Sequence, residues 1–397
     1  MPAEGDPTRR GRGDLPLGKF YADLRALERR RRRTPVVALQ IGDSHTANDA
    51  FSGSVRGALQ TRFGQGGRGL LPPGIPFRTY NPGQLTVTAS AEWQAISGAD
   101  PAAAGPFGLT GLRQRAQSVG AEIIVEGEPG AFARTELEIL RQPGGGSIRV
   151  EFDGRTAATV ATAGAERRAA FVSVAAPRDG RRLRLTTIGA EPVELLGLSV
   201  TRAGAGIVYA NLGTIGATIE LTTRWDRDTL AMEMTHLKPS LLTLAFGTNE
   251  GFSQRTSMTT YPELFAAQVR MLAALAPLAS VVVLGPPDGL LPRGRAQGTE
   301  LELCERGELR PPHLAAVRDA QRRVATQEGW QFWDWAAAMG GDCSMARWVR
   351  ASPSLALPDH VHLRSEGYRR TAGLFVQELL TGYQRWSQTE GAAGANT

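Results

Sequence analysis

The sequence predicts an α/β protein in which an all-β segment interrupts a parallel sheet that carries helices on both faces. Two observations predict this fold class. Near both ends of the chain, apolar runs that close in small or polar residues alternate with helical patterns, as in a parallel sheet. From about residue 81 to residue 202, short segments instead alternate apolar and polar residues, as antiparallel strands do. The α/β part is therefore expected to form three layers, with the sheet in the middle.

The chain length indicates two domains. At 397 residues the chain exceeds the about 250–300 residues at which a single hydrophobic core stops growing. We assign residues 1–80 and 203–397 to a discontinuous α/β domain, and residues 81–202 to an inserted β-sandwich or jelly roll. Carbohydrate binding is a candidate role for the inserted domain.

The elements of the α/β part are predicted from their apolar patterns. Its parallel strands are expected at residues 35–41, 207–211, 240–246, 279–284 and 330–334. A helix is expected from Phe51 to Phe63. Another begins at Pro262, because its apolar side chains recur at i, i+4, i+7 and i+11 and share one face. The last helix shows the same spacing, with Ser365 as its expected N-cap.

The all-β segment contains eight predicted strands at a spacing of about 8–12 residues, which is typical of a sandwich or jelly roll. They lie at residues 85–88, 121–126, 133–140, 147–152, 158–161, 170–174, 182–186 and 193–198. Gly144–Gly146 and Asp153–Gly154 are the predicted hairpin turns.

Several polar or small residues that are candidates for catalysis follow the predicted strands of the α/β part. Ser44 follows the first strand in a Gly-Asp-Ser turn, and Gly216 and Asn249 follow the next two strands. Because open α/β sheets bind ligands at the carboxyl ends of their strands, these residues are expected to meet. Asp359 precedes His362 by three residues in a loop before the last helix, from which both can reach Ser44.

These residue types match the needs of ester hydrolysis by a serine. The reaction needs a nucleophile, a base that accepts its proton, a group that orients the base, and donors for the developing oxyanion. We assign Ser44 as the nucleophile, His362 as general base and then acid, and Asp359 as the partner that orients the imidazole. The backbone N–H groups of Ser44 and Gly216 and the side-chain amide of Asn249 form the candidate oxyanion hole.

In this chain order, the motifs resemble the four blocks of the SGNH, or GDSL-type, hydrolases. The blocks are Gly-Asp-Ser at 42–44, a glycine five residues after Asn211, Gly-x-Asn at 247–249 and Asp-x-x-His at 359–362. The resemblance implies a flavodoxin-like three-layer fold and places the family's catalytic residues on those named above. Segments 42–46, 63–69 and 332–341 further resemble the subgroup of bacterial peptidoglycan O-acetylesterases.

Two residues beside the motifs differ from the common pattern of the family. His45 stands where many members have leucine, and Glu250 stands where many have aspartate. His45 is a candidate pocket residue, with a purely structural role as the alternative. Asp43 and Glu250 are expected to brace the active-site loops through hydrogen bonds.

We expect no metal and no cofactor. His360 and His362 form a His-x-His pair beside Asp359, which leaves a metal site as an alternative, but no further cysteine or histidine cluster supplies the remaining ligands. His236 and His313 are expected to be ordinary residues at helix ends.

Composition narrows the range of partners. The formal net charge is +6, and lysine occurs only at positions 19 and 238, so almost all basic residues are arginines. The sparse aromatic residues do not interleave with the arginine clusters, which disfavours nucleic acid as a partner. No apolar run reaches the about 18 residues of a membrane span. The basic run Arg29–Arg33 is interpreted as a solvated helix end, with contact to an anionic polymer as the alternative.

The two cysteines leave the cellular compartment open. Cys304 and Cys343 lie in loop-like segments and are either a disulfide or two unrelated thiols. The first residues contain no apolar stretch of a signal peptide. We expect a mature periplasmic or cell-envelope protein, because the resemblance is to exported enzymes, with a cytoplasmic protein as the alternative.

The sequence thus predicts a serine esterase that removes O-acetyl groups from a polysaccharide, with O-acetylated peptidoglycan as the substrate implied by the resemblance. One alternative is a polysaccharide O-acetyltransferase that uses the same triad. Another is a non-catalytic glycan-binding protein, and a third is unspecific thioesterase or lipase activity. The oligomeric state is not predicted.

Overall fold

The computed structural model describes residues 15–291, 303, 304 and 307–394, with side chains up to residue 389. Its strands are β1 (Val36–Gly42), β2 (Gln65–Leu71), β3 (Leu85–Ala89), β4 (Gln94–Ser97), β5 (Leu112–Ala116), β6 (Glu122–Gly127), β7 (Arg134–Arg141), β8 (Ser147–Phe152), β9 (Arg155–Ala161), β10 (Arg168–Val174), β11 (Arg182–Thr187), β12 (Val193–Thr201), β13 (Ile207–Gly213), β14 (Leu241–Ala245), β15 (Ser280–Gly285) and β16 (Gln331–Asp334). Its helices are α1 (Gly18–Glu28), α2 (Ser44–Ala47), α3 (Ala50–Phe63), α4 (Arg227–Leu237), α5 (Thr248–Phe252), α6 (Tyr261–Leu275), α7 (Leu314–Glu328), α8 (Trp335–Met339), α9 (Ser344–Arg350) and α10 (Ser365–Gly394), with a 3₁₀ helix at Ile219–Arg224.

The predicted parallel sheet is confirmed. Strands β13, β1, β14, β15 and β16 lie side by side in that order, and every neighbouring pair is parallel. Counted among these five strands in chain order, this is the order 2-1-3-4-5 of flavodoxin-like folds. The carboxyl ends of the strands therefore share one edge, with β1 at the position where the strand order reverses.

Helices cover both faces of this sheet and give the predicted three layers. On one face, α1, α3, α8, α9 and α10 bury an aromatic-rich core that includes Phe51, Tyr209, Trp335 and Tyr368. On the other face, α4, α6 and α7 pack against the alternate side chains of the same strands. The predicted apolar faces of α6 and α10 are buried, and Ser365 is the first residue of α10 rather than its N-cap.

The all-β segment forms two antiparallel sheets around one core. One sheet has the order β3-β6-β11-β8-β9. The other contains β10, β7 and β12, with β5 beside β12 and β4 beside β5. Apolar side chains from both sheets form a single buried cluster that includes Ile123, Leu137, Val150, Leu185 and Leu195.

This second antiparallel sheet is continuous with the parallel sheet. β12 pairs antiparallel with β2, and β2 pairs parallel with β13. The strand pairing thus continues across residue 203, where we predicted a domain boundary, and the boundaries themselves remain a prediction. Three strands were not predicted, namely β2, β4 and β5.

The two predicted hairpin turns have different outcomes. Asp153 and Gly154 both have positive φ, 49° and 81°, and join the paired strands β8 and β9. This conformation is that of a type I′ hairpin turn, so the prediction is confirmed. The prediction for Gly144–Gly146 is wrong, because β7 and β8 belong to different sheets and these glycines form a connection between the sheets.

Cys304 and Cys343 form a disulfide, and their Cα atoms are 5.7 Å apart. The bond ties a segment that precedes α7 to the residue at the start of α9. Of the two readings that the sequence left open, the structure has the bonded one. Within the described ranges, no helix is both long enough and apolar enough to cross a bilayer.

Two glutamates are buried where α4 crosses the antiparallel part. Glu138 of β7 and Glu233 of α4 are both 0% exposed. The N–H of Leu109 donates to both oxygens of Glu233, at 3.0 and 2.9 Å, and the carboxyl of Glu233 hydrogen-bonds to that of Glu138. Burial raises the pKa of Glu138 to about 8, and burial together with the Glu138 carboxyl raises the pKa of Glu233 well above its ordinary value. The pair is therefore expected to hold a proton at neutral pH.

Rising pH should weaken the fold at this pair. A carboxyl group with a raised folded-state pKa stabilises the fold fully below its unfolded pKa of 4.5, and this contribution is lost as the pH rises through about 8. We expect the free energy of unfolding, measured with urea, to fall in this window by up to about 1.4 kcal/mol per pH unit for each such proton. Glu138→Gln should flatten the slope.

A control accounts for the other titrating groups at this interface. A hydrogen bond from His236 to Glu136 raises the pKa of His236, so its loss of charge weakens the fold in the same direction as the pH rises. His236→Gln removes the contribution of His236 to the pH dependence, and Asp226 and Lys238 are unchanged in every variant. An equal slope in Glu138→Gln and the wild-type protein would show that Glu138 is not protonated when folded.

Candidate active site

The register of the sheet brings the predicted site residues to one edge. Gly42 at the end of β1 lies opposite Gly213 of β13 on one side and Ala245 of β14 on the other. Ser44, Gly216 and Asn249 follow these three positions by two, three and four residues. A Cβ atom on Gly42 would lie 2.5 Å from Thr46 Oγ1 and closer still to the carbonyl oxygen of Ala245, so only glycine allows the turn into α2 here.

Ser44, His362 and Asp359 form one hydrogen-bonded line. The Oγ atom of Ser44 is 2.9 Å from Nε2 of His362. On the other side of the ring, Nδ1 of His362 is 2.7 Å from Oδ2 of Asp359. With the proton on Nδ1, the imidazole donates to the carboxylate and Nε2 is free to accept the serine proton. This is the arrangement that the sequence analysis predicts.

Backbone donors hold Asp359 in place. Its Oδ1 atom accepts the N–H groups of Val361 at 2.9 Å and of His362 at 3.0 Å, which leaves Oδ2 for the imidazole. Partial burial opposes ionisation, but the bonds from the Val361 N–H and from His362 outweigh it and lower the pKa of Asp359. The carboxylate is therefore ionised throughout the neutral range.

The predicted oxyanion donors lie at the same edge. Gly216 is exposed and has a φ of +75°, in a turn where the N–H of Ala217 donates to the carbonyl of Thr214 at 3.2 Å. Nδ2 of Asn249 donates to the carbonyl of Ala217 at 2.8 Å, which fixes the amide while its second N–H stays available. The backbone N–H groups of Ser44 and Gly216 have no partner among the described residues.

Asn249→Ala should lower kcat for ester hydrolysis by about 10²–10³-fold, because one such donor contributes roughly 3–4 kcal/mol to the transition state. The KM should change little, since the donor acts on the charge that develops during the reaction. Steady-state kinetics on 4-nitrophenyl acetate measure both constants. Asn48→Ala, which changes another asparagine at the cleft, is the matched control. Equal kcat values for the two variants would show that Asn249 does not donate to the oxyanion.

Asp43 and Glu250 are buried beneath the site and brace its loops, as predicted. Oδ1 of Asp43 accepts the N–H of His45 at 2.9 Å and caps α2. Glu250 accepts the N–H of Ile219 at 2.8 Å and that of Gly247 at 3.0 Å, so it ties the Asn249 turn to the 3₁₀ helix. Burial raises the pKa of Asp43 to about 6 and that of Glu250 to about 7.

His45 does not line the cleft. It is 1% exposed, its ring centroid lies 5.3 Å from that of His362, and its Nδ1 is 2.9 Å from the hydroxyl of Tyr368. Burial lowers the pKa of His45 to about 3, so the ring is neutral and supports His362 from below. No group of three or more metal-binding side chains occurs within the described residues, His360 and His362 included.

Ser44 and His362 open onto a cleft of about 630 Å³. Its lining residues come from the chain that follows β1, the segment between β2 and β3, the turn after β13 and the loop before α10. They are Ser44, Ala47, Asn48, Asp49, Ala50, Phe77, Thr79, Asn81, Gly83, Ile215, Leu357, His362 and Ser365. Both polar and apolar side chains line the opening. The cleft is much larger than an acetyl group.

A buried network that the sequence analysis missed connects this cleft to the sheet. Asp49 binds Arg56 through both carboxylate oxygens, at 2.5 and 3.2 Å, and accepts the N–H of Gly83 at 2.8 Å. Nδ2 of Asn211 donates to Asp49 at 3.1 Å and to Ser52 at 2.6 Å. The network fixes the chain after Ser44 and the opposite wall of the cleft together. Its sequence signal is the polar series 49, 52 and 56 on the buried side of α3.

A serine, an imidazole and a carboxylate in line at the carboxyl edge of a flavodoxin-like sheet define the class of serine hydrolases with an α/β fold. Residues 191–370 match the GDSL-like Lipase/Acylhydrolase family. The chain therefore carries a GDSL-like acylhydrolase domain and is an esterase.

One solved structure extends the likeness over most of the chain. A structure titled "Peptidoglycan O-acetylesterase in action, 5 min" is 25% identical, has a TM-score of 0.77, and covers 94% of this chain and 98% of its own. A family two carbohydrate esterase from Clostridium thermocellum in complex with cellohexaose is 10% identical at a TM-score of 0.31, over 76% of this chain and 100% of its own. No curated protein matches the sequence significantly.

Proposed function

We propose that this esterase removes O-acetyl groups from a polysaccharide, and that O-acetylated peptidoglycan is its substrate. The observation that carries the proposal is the hydrogen-bonded line from Ser44 through His362 to Asp359 at the floor of an open cleft. The similarity of nearly the whole chain to a peptidoglycan O-acetylesterase supports the choice of substrate.

In the proposed reaction, Oγ of Ser44 attacks the acetyl carbonyl carbon while Nε2 of His362 takes the hydroxyl proton. The N–H groups of Ser44 and Gly216 and the Asn249 amide stabilise the oxyanion. The sugar oxygen then leaves with the proton from His362, and Ser44 carries the acetyl group. A water molecule, deprotonated by His362, attacks this acetyl ester, and acetate leaves as the serine regains its proton.

The lining of the cleft combines polar and apolar groups, as a sugar ester requires. Asn48, Thr79 and Asn81 offer hydrogen-bond donors and acceptors, while Phe77, Ile215 and Leu357 provide apolar surface. Sugar rings need both, because their hydroxyl groups are polar and their C–H faces are not. A long acyl chain would need a continuous apolar surface. An acetyl group needs only the space beside Ser44.

The test is acetate release from O-acetylated peptidoglycan and from acetylated xylan, measured side by side with the wild-type protein and Ser44→Ala. We expect release from peptidoglycan that depends on Ser44, and much less from xylan. Preference for xylan would keep the esterase chemistry and overturn the cell-wall substrate. Acetyl transfer to added oligosaccharides without free acetate would favour the O-acetyltransferase, and glycan binding without either reaction would favour a binding protein.

We also propose that the protein works in the periplasm or cell envelope. The disulfide between Cys304 and Cys343 supports this, because such bonds persist in oxidising compartments and are rare in the cytosol. The proposed substrate lies in the same compartment. Fractionation of cells, with alkylation of free thiols before lysis, tests both the location and the oxidation state.

A further inference from the structure

A second cavity lies at the seam between the parallel sheet and the antiparallel part. Its volume is about 500 Å³, and we call it the seam cavity. The polar residues around it include Gln65, Gln84, Thr86, Glu126, Glu128 and Arg202. None of these residues has a place in the proposed acetyl transfer to Ser44.

A buried arginine side chain also lines the seam cavity. Arg68 is 3% exposed, and its Nε and Nη1 atoms have no hydrogen-bond partner among the described residues. Its Nη2 atom is 3.7 Å from Asp49, whose carboxylate is already bound at both oxygens by Arg56. The Nε and Nη1 atoms are shielded from the cavity, so Arg68 contributes a buried positive charge to the lining.

The seam cavity is adjacent to the catalytic cleft. Gly83 lines the cleft, and the next residue, Gln84, lines the seam cavity. Likewise, Asp49 lines the cleft and its ion-pair partner Arg68 lines the seam cavity. One layer of side chains and the chain at residues 83–84 therefore form a wall with one cavity on each side.

The chemistry of the lining favours an uncharged ligand with many hydroxyl and amide groups. Arg68 and Arg202 are balanced by Glu126 and Glu128, so the cavity has no excess of one charge. Glutamine, threonine and carboxylate side chains supply both donors and acceptors. N-acetylated sugar units carry hydroxyl and amide groups that also donate and accept.

We propose that the seam cavity binds a second stretch of the glycan chain whose acetyl ester lies in the catalytic cleft, so that the enzyme acts on long strands rather than on short fragments. This inference rests on the proposed function. Binding energy from parts of a substrate remote from the reacting bond lowers KM or raises kcat for the long substrate alone. Small esters, which reach only Ser44, gain nothing from it.

Strand β3 offers a matched pair of variants. Thr86 and Thr88 are both exposed and lie on the same face of the strand, but only Thr86 lines the seam cavity. Thr86→Trp should fill the cavity and raise the KM for solubilised O-acetylated glycan strands by about tenfold. Thr88→Trp should leave this KM unchanged, and both variants should hydrolyse 4-nitrophenyl acetate like the wild-type protein.

Equal KM values of Thr86→Trp and Thr88→Trp for glycan strands would overturn the proposal. If Thr86→Trp also loses activity on 4-nitrophenyl acetate, Gln65→Trp replaces it in the comparison, because Gln65 lines the same cavity from β2. A direct measurement uses Ser44→Ala titrated with de-O-acetylated glycan strands of increasing length, where Thr86→Trp should remove the gain in affinity with length. If the wild-type protein releases no acetate from strands, the proposed function fails instead.

Discussion

Replacing Ser44 with alanine is expected to lower kcat for ester hydrolysis by about 10⁶-fold, because the nucleophile and its base act as one unit. The Oγ atom of Ser44 is the only side-chain oxygen of the described residues within hydrogen-bond distance of Nε2 of His362. Without it, only the oxyanion donors and substrate binding remain, and these give a residual acceleration of about 10³–10⁴ over water. Single-turnover acetate release measures the loss.

The cleft offers a matched control for this variant. Ser365 also lines the cleft but begins α10 and forms no hydrogen bond with His362. Ser365→Ala should keep kcat within a few-fold of the wild-type value. Adding His362→Ala to Ser44→Ala should cost almost nothing more, since both changes disable the same step. If Ser365→Ala lost activity and Ser44→Ala remained active, the nucleophile would be Ser365 and not Ser44.

The parallel strands could be predicted because burial on both faces leaves a continuous apolar run in the sequence. Residues 241–245 and 280–285 are buried without exception, and both strands were placed to within one residue. Strand β2 was not predicted, because glycine is a poor strand former. The structure shows why β2 contains glycines: the neighbouring backbone leaves no room for a side chain. A Cβ atom on Gly66 would lie 2.8 Å from the backbone of Ile207, and one on Gly67 would lie 2.6 Å from Thr201.

The sequence could not show that the antiparallel sheet continues into the parallel sheet, and the reason is different. The alternating pattern of the all-β segment specifies strands and faces, but the partner of an edge strand is set by contacts distant in sequence. β12 is buried along eight of its nine residues, because Leu195 and Leu198 pack in the core of the antiparallel part and Leu196, on the other face, lies in a cluster with Met232 of α4. An alternating strand at a sheet surface would show half that burial. This burial explains why the sequence of Val193–Leu198 is largely apolar.

The residues of the candidate site could be predicted where position along a strand fixes position in space. Ser44 and Asn249 follow parallel neighbours, so their proximity follows from the sheet order. The cleft walls could not be predicted in this way. Phe77 and Asn81 lie in an irregular segment whose path depends on the bond from Gly83 to Asp49. Such a bond leaves no periodic pattern.

Asp359→Asn should lower kcat by about 10⁴-fold while the fold stays intact, because it reverses the tautomer of His362. The amide oxygen of asparagine can accept the N–H groups of Val361 and His362, as Oδ1 of Asp359 does now. Its NH₂ group then faces Nδ1 of the imidazole, and Nδ1 must accept. The proton moves to Nε2, which can no longer take the proton of Ser44.

Asp342→Asn is the control for this change, since the side chain of Asp342 is as exposed as that of Asp359, at 44%, and binds Arg318 away from the site. Its kcat on 4-nitrophenyl acetate should equal the wild-type value. The KM of Asp359→Asn should also stay near the wild-type value, because the substrate does not touch this carboxylate. A kcat for Asp359→Asn within tenfold of the wild-type value would mean that another group sets the tautomer. His45 is excluded from that role, because its Nδ1 atom bonds the hydroxyl of Tyr368 and its Nε2 atom has no partner among the described residues.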